Sequence, residues 1–137
     1  MSAEKVLIDH HFAPQLSGSG LHKLLADDVV FSTLKGSAAM GYLAPEYTTT
    51  GRFTEKSDVY AFGVIVFQIL TGKTKVTHLR LNAESGKLDE LIDENLNGNF
   101  SKLEAAKLAS IALVCTSEAP SQRPRMEVVL KELSSNC

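Results

Sequence analysis

Three short runs in this chain hold residue types suited to phosphate or metal chemistry. Gly72-Lys73-Thr74 has the ending of a phosphate-binding glycine loop, in which backbone amides and a lysine cradle the oxygens. Phe67 occupies the position of that motif's first glycine, and the residues between read as helix, so no nucleotide role is expected there. Gly18-Ser19-Gly20 would allow a phosphate close to the backbone, but no strand-then-helix unit encloses it, and an open loop is the simpler reading. His10, His11 and His22 lack the cysteine or carboxylate spacing of a zinc site and are expected at the surface. Asp58, taken alone, is a candidate general base; at the start of a helix an acid also serves as a cap or dipole partner.

Composition bounds what such residues can do. The 137 residues suit one domain, and an apolar content of 44% is enough for a packed interior. The net charge of -2 comes from interspersed acids and bases, which excludes the one-signed surface of a phosphate-backbone binder; no nucleic-acid partner is expected. Cys115 and Cys137 form neither a disulfide framework nor a metal pair. The first residues carry no long apolar run of a secretion signal, and the stretch from Val59 to Leu70 falls short of the roughly 20 residues that span a bilayer. A cytoplasmic, reducing compartment is the expectation, with no transmembrane segment.

The elements that must position these groups follow from pattern. Val6-Leu7-Ile8 and a short run near Gln15-Leu16 after Pro14 predict a minor hairpin. Residues 17 to 39, rich in Gly, Ser and Asp, predict a long irregular segment. Thr54 or Ser57 caps a predicted helix that runs to about Leu70 and stops at Gly72. That helix is apolar nearly all round, so it belongs in the middle of the domain. Leu88, Leu91 and Ile92 predict a short amphipathic helix ended near Asn97-Gly98. Ser101 with Glu104 opens another, carrying Leu103, Ala106, Leu108, Ile111, Ala112 and Cys115 at helical spacing, and Pro124 starts a last one that reaches about Leu133. The fold class expected is mainly α.

The run Met40-Gly41-Tyr42-Leu43-Ala44-Pro45-Glu46-Tyr47, followed by Glu55-Lys56-Ser57-Asp58-Val59-Tyr60-Ala61-Phe62-Gly63, closely resembles the activation segment and central helix of a protein kinase. Essentially the whole chain resembles the C-terminal lobe of a plant receptor-like kinase of the leucine-rich-repeat type, from the end of the catalytic loop to the last helix of the lobe. The resemblance implies one partial kinase-like domain over 1–137, with an activation-segment-like loop over about 17–46. Ala44-Pro45-Glu46 matches the A-P-E motif, and Arg123 matches the arginine that pairs with its glutamate, so a Glu46 to Arg123 bridge is implied. Asp58 matches an aspartate that anchors the catalytic loop's backbone in the family.

Function turns on what departs from the family. Phosphoryl transfer in kinases needs a glycine-rich loop, a strand lysine, a catalytic aspartate, and an asparagine and aspartate for magnesium. All but the last match positions at or before the start of this chain. Lys5 stands where relatives carry the metal-binding asparagine, and a cation there repels magnesium. Gly18-Ser19-Gly20 aligns with the D-F-G triplet: Gly18 has no carboxylate for the metal, Ser19 has no apolar plug, and only Gly20 survives. The implied protein is catalytically inactive and binds no cofactor. It acts as a binding or decoy module whose protein partner is a full-length receptor-like kinase or its substrate, which recruits it to the plasma membrane. The alternative is a serine/threonine kinase whose N-terminal part is missing here. The resemblance also marks Ser32, Thr33 and Ser37 as phosphorylation sites, where each phosphate adds up to about two negative charges. Because the helices that flank the central one in a full lobe have no counterpart here, an uncovered apolar side is expected along Val59 to Leu70.

Overall fold

A computed structural model of the chain describes residues 1–18, 41–51, 53–74 and 90–135. Its amino-terminal element is a hairpin. A 3-10 turn over Ala3–Lys5 hands the chain to strand β1 (Val6–Ile8), and the Val6 amide donates back to the Ala3 carbonyl. Strand β2 (Pro14–Leu16) pairs antiparallel with β1, Val6 opposite Leu16, Leu7 opposite Gln15 and Ile8 opposite Pro14. Asp9 holds the turn between them: its Oδ1 accepts from the His11 and Ala13 amides at 2.8 and 2.9 Å. Phe12 takes a left-handed φ of 62° at the tip, and its side chain is 87% exposed.

Among the described residues, four α-helices follow. α1 (Pro45–Thr50) begins with a proline whose missing amide costs nothing in the first turn, and ends at Gly51, φ 68°. α2 (Glu55–Thr71) opens with a capping box: the Thr54 hydroxyl accepts from the Ser57 amide at 3.3 Å, and the Ser57 hydroxyl accepts from the Thr54 amide at 3.2 Å. Gly72 stops it in the left-handed conformation, φ 64°, as the sequence predicts. α3 (Lys102–Cys115) is capped by Ser101, whose hydroxyl accepts from the Glu104 amide at 3.3 Å. α4 is Met126–Ser134. No helix among the described residues is long and apolar enough to cross a membrane. The fold is thus mainly helical with a minor hairpin, the class expected from sequence.

The core forms where α2 lies against α3. Val66, Phe67 and Leu70 of α2 pack with Ala105, Ala109 and Ala112 of α3 and with Leu91 and Ile92. Val59 of α2 joins Ile111 and Cys115 of α3 and Val129 of α4 in a second cluster. Small residues set the approach of the two helices. A Cβ on Gly63 would sit 2.7 Å from the Cys115 Cβ and 2.8 Å from the Thr116 Cγ2, so hydrogen is the only side chain that fits. Gly63→Ala is expected to cost about 1–3 kcal/mol through overpacking, read as a lower urea midpoint at unchanged slope. A variant as stable as the parent would show that the helices can separate freely at this point.

Three expectations differ from what is seen. α2 has no uncovered side among the described residues: Val59, Val64, Ile65, Val66, Phe67 and Leu70 are all buried, and Ile69 is its one large apolar residue that is mainly exposed. Besides α3, the segment around α1 reaches this helix, with the Tyr42 hydroxyl donating to Gln68 Oε1 at 2.7 Å and the Ser57 hydroxyl to Glu46 Oε1 at 3.1 Å. The helix expected through Leu88 lies in part outside the described residues, but it does not run to Asn97-Gly98: past Leu91 and Ile92 a 3-10 turn covers Glu94–Leu96, because the Asp93 carboxylate takes the Asn95 amide and Asn97 turns left-handed at φ 48°. The last helix starts at Met126, past Pro124, since Arg123 and Arg125 are both held extended.

Candidate functional site

Arg123 is the largest fully buried side chain among the described residues, and every N–H of its guanidinium finds an acceptor. The 3-10 turn Pro120–Gln122 presents it, with the Arg123 amide donating to the Pro120 carbonyl at 3.2 Å. Nε donates to the Ser117 carbonyl at 2.7 Å. Nη1 donates to Glu46 Oε1 at 2.7 Å and to the Lys56 carbonyl at 2.9 Å. Nη2 donates to Glu46 Oε2 at 2.8 Å and to the Glu118 carbonyl at 3.0 Å. The Tyr60 ring lies under the guanidinium, 4.9 Å from ring centre to Cζ. Lys56 Nζ in turn donates to the Arg123 carbonyl. One side chain thereby ties the start of α1, the first turns of α2 and the segment after α3. A planar fork is required, because only arginine can hold both carboxylate oxygens and still reach the carbonyls on either side.

Glu46 feels opposed influences. Burial raises its pKa, but the hydrogen bonds and charge of Arg123, helped by the Glu46 backbone and the Ser57 hydroxyl, outweigh this and hold the carboxyl below its ordinary value of 4.5. A depressed carboxyl stabilises the fold above its unfolded pKa and loses that contribution as pH falls through the folded one. Unfolding free energy is therefore expected to drop as pH falls below 4.5, and the drop should shrink in Glu46→Gln. Equal acid sensitivity in parent and variant would rule out this carboxylate as the cause.

The two positions that resemble magnesium ligands lie at the same end of the hairpin. The Ser17 amide donates to the Lys5 carbonyl at 2.8 Å at the open end of the hairpin, and Gly18 follows at φ 66°. Lys5 and Gly18 are both exposed. Of the two positions that resemble magnesium ligands, Lys5 carries an amine and Gly18 no side chain. Ser19, Gly20, Ser32, Thr33 and Ser37 lie outside the described residues.

The other chemical candidates are separate. Gly72-Lys73-Thr74 follows α2 at its carboxyl end, where the helix dipole repels an anion, whereas a phosphate loop precedes its helix. The His10 and His11 rings are 3.8 Å apart on the hairpin turn, and His22 lies outside the described residues. Asp58 sits in the first turn of α2 with its side chain 59% exposed, its Oδ1 3.5 Å from the Met1 amino nitrogen. Cys115 is buried, and burial pushes its thiol up to about 11, so it is an inert packing residue. Sequence reasoning missed the roles of Ser57, Lys56, Ser117 and Glu118 around Arg123. Ser57 had a signal in its spacing from Thr54; the rest act through backbone carbonyls or a single amine and leave none.

The family model for protein tyrosine and serine/threonine kinases matches residues 1–133. Cold-responsive protein kinase 1 of Arabidopsis thaliana is 33% identical over 98% of this chain and 37% of that protein. The leucine-rich repeat receptor-like protein kinase PXC2 of Arabidopsis thaliana is 38% identical over 97% of this chain and 15% of its own length. Among solved structures, the pseudokinase domain of BIR2, an immune regulator of the RLK/Pelle family, superposes with a TM-score of 0.83 at 32% identity, covering 98% of this chain and 42% of that one. The chain therefore spans less than half the length of each of these relatives.

Proposed function

Since the chain belongs to the protein tyrosine and serine/threonine kinase family, with plant receptor-like kinases among its relatives, we propose that it is a catalytically inactive, kinase-like binding or decoy module in receptor-kinase signalling. The observation that carries this reading is the open end of the hairpin. Lys5 pairs with Ser17 there and Gly18 follows, so the positions matching the magnesium asparagine and aspartate offer a positive charge and no ligand. The likeness to the BIR2 pseudokinase domain supports the same conclusion. The module needs no cofactor. Its partner is a protein, a full-length receptor-like kinase or a substrate of one, met in the cytoplasm and drawing it to the plasma membrane. Ser32, Thr33 and Ser37 are the hydroxyls through which an active kinase would modify it.

A second reading is favoured by the family's description and the relatives' own names: a serine/threonine kinase activity belonging to a longer polypeptide. Thermal melting with and without magnesium and ATP tests the inactive reading directly. A ligand held at a hundredfold excess over its Kd stabilises the folded state by about 2.7 kcal/mol. No change in melting temperature is expected here. A magnesium-dependent rise would overturn the inactive reading, because it requires a nucleotide site that Lys5 and Gly18 do not build.

A further inference from the structure

We draw no further inference here: the strongest candidate, the exposed apolar face of the hairpin built by Ile8 and Leu16 with Phe12 at its tip, is an unpartnered surface, and nothing in the structure shows what covers it.

Discussion

Arg123→Met is expected to lower the unfolding free energy by about 3–5 kcal/mol, because it leaves a half-buried carboxylate and several carbonyls without their donor. Its partner behaves differently. Glu46→Gln keeps the shape and one acceptor, so a smaller loss of about 1.5–3 kcal/mol is expected, in line with a hydrogen bond to a charged group. The double variant should be less destabilised than the sum, since the pair is in direct contact at 2.7 Å. Urea unfolding of all three gives the coupling. Strict additivity would mean that the two side chains act independently despite their geometry. Should Arg123→Met fail to fold at all, the Glu46→Gln value still decides, because a loss below about 0.5 kcal/mol there is that of an ordinary surface substitution.

Phe67→Ala carries a comparable cost for a different reason. Phe67 is 1% exposed and sits on the α2 face against Leu91, Ile92 and the alanines of α3. Truncation removes most of an aromatic ring from a region whose small neighbours cannot move in to fill it, and about 3–5 kcal/mol is expected. Phe67→Leu, which retains much of the volume, should lose less than half as much. Equal losses in the two variants would show that ring shape, and not cavity volume, governs this contact. Both can be followed by the same urea titration.

Local signals were the legible part of this fold. Thr54, Ser101 and Gly72 act within four residues of themselves, so each could be assigned to a helix end from its type and spacing alone. The Glu46–Arg123 contact spans 77 positions; no periodicity reports it, and only the family pattern pointed to Arg123. Periodicity also overreached near Leu91 and Ile92. Two buried apolar residues there serve the core, but the Asp93 side chain offers the backbone a tighter turn than a helix would. The start of α4 was misplaced for a related reason: Arg123 must stay extended to aim its guanidinium inward, and Pro124 preserves that conformation instead of opening the helix. The covered state of α2 was the hardest to foresee, because it depends on a segment brought back by side-chain contacts such as Tyr42 to Gln68.

The hairpin's small backbone details bear on how copies of the chain can meet. Bonds from Ser17 to Lys5 and from Asp9 to Ala13 set the alternation, so the amides of Val6, Ile8, Pro14 and Leu16 point outward. Of these, the Val6 amide is already given to Ala3, and Pro14 has none to give. Each flank is left with one outward donor, too few to recruit an added strand in register. Contact through Ile8, Leu16 or Phe12 then relies more on side chains than on the backbone template that seeds fibrils.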